Sequence, residues 1–176
     1  SEVTADNFEI GRIAARYVVN NLGGSGNVVD IFSPGHRGIE TRNKMWELIS
    51  GEFEGITEVA RIPWDNAAVQ TSVRDRMEAA LQANPSGSIQ AVFACYDIPA
   101  MAAADAIKAA GRDAEMFVIG IDGDREALIQ VSKGGCLKAT ISQDFTLMGM
   151  TIAFEIVDHL NGKEVPRFLY APVTLV

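Results

Sequence analysis

The chain is poor in the residues that usually announce a chemistry. Only two of its 176 residues are cysteine and two are histidine. Cys95 and Cys136 form neither a CxxC pair nor a metal-ligand spacing, which excludes the usual redox and zinc motifs. They can bridge only if the fold brings their Cα atoms within about 7 Å. The plainer expectation is two buried thiols in apolar segments, so cysteine usage does not reveal the compartment. No apolar run approaches the ~20 residues needed to span a bilayer. The first residues, Ser1-Glu2-Val3, do not read as a leader, so the expectation is that one was removed or never present. The net charge is −8 and no Lys/Arg cluster stands out, which argues against a nucleic-acid surface. Enzyme signatures are missing too: there is no GxSxG elbow, Walker loop or HExxH pair.

What is present is an ordinary globular composition, 48% hydrophobic and 22% charged, in a chain long enough for one compact domain with a real core. Helical and strand patterns alternate along it. Residues 6–22 carry Phe8, Ile10, Ile13, Ala14, Tyr17 and Val18 near helical period, with Thr4 or Asp6 as cap and Gly23-Gly24 as stop. A β-branched strand is expected over 27–32. An amphipathic helix follows over 38–53, with Met45, Trp46, Leu48 and Ile49 inward. A strand over 56–62 is stopped by Pro63. Helices over 67–83, 99–110, 124–132 and 144–160 then alternate with strands over 89–95, 116–121 and 137–141, and an apolar run closes the chain at 173–176. Strands separated by helices imply right-handed crossovers. The predicted fold class is therefore three-layer α/β, a mainly parallel sheet with helices on both faces.

In such a sheet the carboxyl ends of the strands share one edge, where ligands bind. The edge collects Ser33-Pro34-Gly35-His36-Arg37 with Arg42, then Pro63-Trp64-Asp65, Cys95-Tyr96-Asp97, Asp122-Gly123-Asp124 and Ser142-Gln143-Asp144. The kit suits a polyhydroxylated ligand: planar donors and acceptors take pairs of hydroxyls, and an aromatic face covers the C–H face of a ring. Arg42 with Asp122 would add charge-assisted hydrogen bonds. Each residue also has a structural reading. Trp64 can cover the sheet edge, Asp122 or Asp124 can cap a helix, and Arg42 can be a solvated surface arginine. Tyr96 can be core and Gln143 a turn residue, while His36 and His159 read better as exposed or satisfied histidines than as ligands. Gly23-Gly24-Ser25-Gly26 follows a helix and precedes a strand, the reverse of a phosphate cradle. Phosphoryl receivers carry an acid pair after their first strand, but here that strand ends in Ser33-Pro34. No cofactor, metal or catalytic residue is expected.

Taken together, these residues resemble the type I periplasmic sugar-binding proteins, the ribose-binding group in particular, and the related effector domains of lactose-repressor-type regulators. The similarity runs from Thr4-Ala-Asp-Asn7 through Gly11 and Ala14. It is most specific in Ala91-Val-Phe-Ala-Cys-Tyr-Asp97, Val118-Ile-Gly-Ile-Asp122-Gly123 and Lys138-Ala-Thr-Ile-Ser-Gln143. The resemblance implies a flavodoxin-like lobe in which Arg42, Asp122 and Gln143 hydrogen-bond ligand hydroxyls and Trp64 stacks on the ring. Tyr96 stands where the family pattern has asparagine, which bears on the identity of the sugar, and residues 33–37 also depart from the pattern. The family has two lobes, most of the first without counterpart here. The implied division is a ligand-binding lobe over 1–143 and a tail over 144–176 that would return to the other lobe. The tail helix carries Phe145, Met148, Ile152, Ile156, Val157 and Leu160, an apolar stripe that needs cover. It is expected either to dock on its own sheet or to pair with another copy as a homodimer or domain swap. The implied function is non-catalytic binding of a sugar-like solute by an extracytoplasmic receptor of an ABC importer, with an ABC permease as partner and a periplasmic location. The alternative is the effector-sensing core of a lactose-repressor-type regulator, which would need an upstream helix-turn-helix that this chain lacks.

Overall fold

The structure, a computed structural model, describes residues 1–176. Its central sheet has six strands: β2 (Ser25–Ile31), β3 (Gly55–Ile62), β4 (Ala91–Ala94), β5 (Phe117–Asp122), β6 (Leu137–Gln143) and β8 (Val173–Leu175). They lie in the order β3-β2-β4-β5-β6-β8. The first five are parallel and β8 runs antiparallel on β6. The near-continuous apolar runs Ala91–Ala94 and Val118–Ile121 are buried throughout, as strands covered on both faces should be.

Two cores lie on opposite faces of this sheet. On one, α1 (Asn7–Asn21) and α2 (Arg37–Ser50) bury Ile10, Ala14, Val18, Trp46 and Ile49 against Val28, Phe93, Ile119 and Ile141. On the other, α3 (Val69–Ala83), α4 (Asp97–Ala109) and α5 (Arg125–Ser132) contribute Val73, Met77, Ile107 and Ala127. The largest side chain of the first core is Trp46, 1% exposed and stacked on Phe93 with ring centroids 4.9 Å apart. The three-layer α/β expectation is met, and Asp6 rather than Thr4 caps α1, accepting from the amides of Phe8 and Glu9.

Three features differ from the sequence expectation. Leu48 points outward and is 61% exposed, because α2 turns residues 42, 46 and 49 inward and puts position 48 on the far side. Two strands were not anticipated: β1 (Glu2–Ala5) and β7 (Phe168–Ala171) pair in parallel as a separate two-stranded sheet. With β8 taking the free edge of the sheet, the tail helix α6 (Phe145–Leu160) buries no residue fully and packs Met148 partly against the α1/α2 core. It runs alongside β1 and leaves Phe145, Ile152, Phe154, Ile156, Val157 and Leu160 exposed. Both cysteines are free and buried.

Candidate functional site

The strand order reverses at β2: the chain leaves it outward to β3 and returns to β4 on its other side. The carboxyl ends of β2 and β4 therefore flank the switch point where open α/β sheets take ligands. Arg42 comes from the helix after β2 and Tyr96 from the turn after β4.

Arg42 owes its position to a glycine. A Cβ on Gly11 of α1 would lie 2.7 Å from the Arg42 carbonyl oxygen and 2.8 Å from its Cα, so only glycine lets α1 and α2 approach this closely. The arginine side chain then runs inward and is mostly buried. Its Nε donates to Asn7 Oδ1 at 2.9 Å. Its Nη1 donates to the Cys95 carbonyl at 2.8 Å and to Asp122 Oδ1 at 3.1 Å. Those bonds use Nε and Nη1, and no hydrogen bond within the fold uses Nη2. Arg42 is thus no solvated surface arginine.

Asp122 closes β5 and is the chain's only non-glycine residue with positive φ, at 128°. Such a conformation costs on the order of 1–3 kcal/mol and persists only where the surroundings enforce it. Its Oδ1 accepts from Arg42 and, at 2.5 Å, from Gln143 Nε2; Oδ2 is left to act as an acceptor at the edge. Burial pushes the Asp122 carboxyl up to about 6, against the pull of the Arg42 guanidinium. The negative charges of Asp97 and Asp124 add to the effect of burial. Asp122 caps no helix: Asp124 takes the cap position of α5.

The aromatic pair forms the other part of the edge. Trp64 and Tyr96 meet edge to face, with centroids 5.2 Å apart and planes at 74°. The Trp64 indole N–H donates to Asn66 Oδ1 at 2.9 Å, so the ring offers a ligand its face and not its donor. Ser33 ties this loop to β2: its Oγ accepts from the Trp64 amide at 2.8 Å. Burial, then the charge of Asp122, pushes the Tyr96 phenol up to about 12, so it remains a neutral hydroxyl.

All five predicted residues therefore lie at the carboxyl edge, with Arg42, Asp122 and Gln143 joined by hydrogen bonds and Trp64 and Tyr96 in contact. Two supporting residues were noted in the sequence but given no role in the site. Asn7 orients Arg42, and the signal was present in the Thr4–Asn7 stretch just ahead of a helix. Asp97, completely buried, accepts from the Asp124 amide and the Thr140 hydroxyl. Its signal was a charged residue inside an otherwise apolar segment. His36 caps α2 and His159 is exposed. Neither reaches the edge trio. An apolar groove lined by Val3, Ile152, Glu155, Ile156 and Leu160 lies beside α6, away from these five residues.

Comparison with known proteins finds relatives along nearly the whole chain. The family described as periplasmic binding protein domain matches residues 1–164. The ribose import binding protein RbsB of Bacillus subtilis (strain 168) is 32% identical over 174 residues, 98% of this chain and 54% of that protein. The D-allose-binding periplasmic protein of Escherichia coli (strain K12) is 31% identical over 173 residues, 93% of this chain and 52% of that protein. An ABC transporter solute-binding protein from Agrobacterium vitis, solved with bound allitol, superposes with a TM-score of 0.89 at 28% identity, over 99% of this chain and 61% of that one. A 5-methylthioribose transporter solute-binding protein from Thermotoga lettingae TMO, in complex with 5-methylthioribose, gives 0.90 at 26% identity, over 99% and 55%. The chain spans about half the length of the curated relatives it matches.

Proposed function

The chain belongs to the periplasmic binding protein domain family, and we propose that it forms one wall of a non-catalytic site for a sugar or similar polyhydroxylated solute. The observation that carries this is the hydrogen-bonded trio of Arg42, Asp122 and Gln143 at the carboxyl edge, whose bonds use neither Arg42 Nη2 nor Asp122 Oδ2. A guanidinium and a carboxylate fixed in one cluster, each with an unused atom, can serve hydroxyls of one ring, the donor to one oxygen and the acceptor to another O–H. Gln143 steadies the carboxylate, and the Trp64 face covers the apolar side of the ring. Tyr96 narrows the space between them and adds a neutral hydroxyl.

On this reading residues 1–143 carry the ligand site and residues 144–176 lead toward a second lobe, with closure of two lobes shifting a two-state population when sugar binds. The protein then serves an ABC importer: it works in the periplasm or an equivalent extracytoplasmic space and hands solute to a permease. Named relatives bind ribose and D-allose, which supports a pentose or hexose here. The exposed stripe on α6 supports self-association through that helix. Nothing at the edge favours the regulator alternative.

One wall supplies only part of the contacts, so the expected affinity of the 176-residue chain is weak, on the order of mM. The test is calorimetry and thermal shift against D-ribose, D-allose, allitol and 5-methylthioribose, with Asp122→Ala beside wild type. Stabilisation by one class that disappears in Asp122→Ala supports the reading. Equal response of both proteins refutes the assignment of the edge. Binding should also weaken below about pH 6, where Asp122 takes up a proton.

A further inference from the structure

The strained backbone of Asp122 is enforced from below. Asp97, the first residue of α4, is 0% exposed, and a buried carboxylate must be supplied with donors. Its Oδ2 accepts from the Asp124 amide at 2.7 Å. Its Oδ1 accepts from Thr140 Oγ1, also at 2.7 Å. Thr140 Oγ1, itself buried, accepts in turn from the Gly123 amide at 3.2 Å. The two amides that follow Asp122 are thus tied to one carboxylate, one directly and one through a hydroxyl. Two glycines make the room. A Cβ on Gly120 of β5 would overlap Asp97 Oδ1, and one on Gly123, whose φ is 76°, would lie 2.6 Å from Ser142 Cα. Asp122 is also registered against Ser142 of β6. Its own strand pairing thus holds it on one side and two clamped amides on the other.

We propose that Asp97 is a positioning residue of the sugar site. Acting through the amides of Asp124 and Gly123 and the hydroxyl of Thr140, it aims the Asp122 carboxylate at Arg42 and the ligand while touching neither. The proposal rests on the sugar-site reading for its purpose, and on the hydrogen bonds alone for its geometry.

The test uses Thr140→Val, which removes the relay without changing charge, and Thr140→Ser, which keeps the hydroxyl. Three quantities are read on each protein: the Asp122 carboxyl titration by carbon-13 NMR without ligand, the calorimetric affinity for D-ribose and D-allose, and the thermal midpoint. In wild type Asp122 is expected to titrate near 6. In Thr140→Val its midpoint should drop by a unit or more toward the exposed-carboxyl value of about 4, because a released loop lets the group reach water. Sugar affinity should fall at least about tenfold, while Thr140→Ser stays within about twofold of wild type on both. A merely structural hydroxyl would lower the thermal midpoint of Thr140→Val and leave the Asp122 titration in place; that result overturns the proposal. If wild type binds none of these sugars, the sugar reading fails, and the ligand-free titration still decides the role of Asp97. Should Thr140→Val not fold, Thr140→Ala removes the same hydroxyl and carries the same expectation.

Discussion

Asp30 sits in β2 with no exposure to solvent. Its Oδ2 accepts from Asn43 Nδ2 at 2.8 Å and lies 3.1 Å from Arg61 Nε, whereas its Oδ1 has no partner. Burial pushes its carboxyl from the ordinary 3.8 up to about 7, against the bond from Asn43 and the charge of Arg61. The folded state therefore binds this proton more tightly than the unfolded chain does. That contribution is fully present below about pH 4 and is lost as pH rises through about 7. At 1.36 kcal/mol per pH unit between the two titrations, the loss amounts to about 4 kcal/mol. The perturbation is Asp30→Asn, which keeps the shape and an acceptor for Asn43 but cannot ionise. Arg61 is not orphaned by it, since Glu58 and Glu47 remain at 2.9 and 3.0 Å. Urea midpoints from pH 4 to 8 provide the assay. Asp122 and Asp97, whose carboxyls are also raised by burial, contribute slope to both proteins, so the difference between them isolates Asp30. The variant should match wild type near pH 4 and exceed it by about 2–4 kcal/mol at pH 8. If the variant is instead less stable at pH 8 with the slope unchanged, Asp30 is ionised throughout and Arg61 compensates its burial.

Gly11→Ala should cost about 1–3 kcal/mol, because the new methyl meets backbone atoms of Arg42 that cannot yield; calorimetry should show weaker sugar binding as the arginine is displaced. Trp46→Ala should cost about 3–5 kcal/mol in denaturant unfolding, since it empties a fully buried stack on Phe93, and a loss below 1 kcal/mol would place the core elsewhere. Phe154→Lys with Leu160→Lys charges the two most exposed apolar positions of α6, 65% and 79% exposed. If that helix carries self-association, sedimentation should show wild type associating with rising concentration and the double variant monomeric. Identical profiles would discard this face as a self-contact.

The parts legible in the sequence were those written in period and punctuation. The five parallel strands follow from apolar runs that end at Pro63, Asp122 or Gln143, and the helices between them from amphipathic spacing stopped by glycines such as Gly111. The edge residues follow from topology, because parallel strands deliver their carboxyl ends to one side whatever the loop lengths. Strands β1 and β7 were not legible because each has four residues, only Ala5 and Ala171 are buried, and they pair across most of the chain. Four residues show no periodicity that separates a strand from a loop. The clamp on Asp122 was hidden for another reason. Asp97, Gly120, Gly123 and Thr140 come from separate stretches of the chain, and although Asp97 stands out as a charge in an apolar segment, nothing in the others marks them as its partners. Leu48 marks the limit of pattern reading within a helix, since its neighbours Trp46 and Ile49 are buried and it is not.

The division of the chain at residue 143 has to be read against β8. Its three residues pair with Ile141, Ser142 and Gln143, and Thr140 exchanges both backbone hydrogen bonds with Val176. The segment beyond α6 thus returns to the strand that carries Gln143 and the Thr140 relay. A parallel sheet ending at β6 would leave that strand's outer edge unpaired, at the residues that hold Asp122 in place. Edge strands are the least protected part of a sheet, and here the edge is closed by the chain's own last residues. The tail therefore does two separable things. Its helix leaves the sheet and presents an apolar face, while its final strand rejoins the sheet and steadies the polar site. A cut at 143 would remove that strand along with the helix and leave residues 140–143 without their pairing on that side.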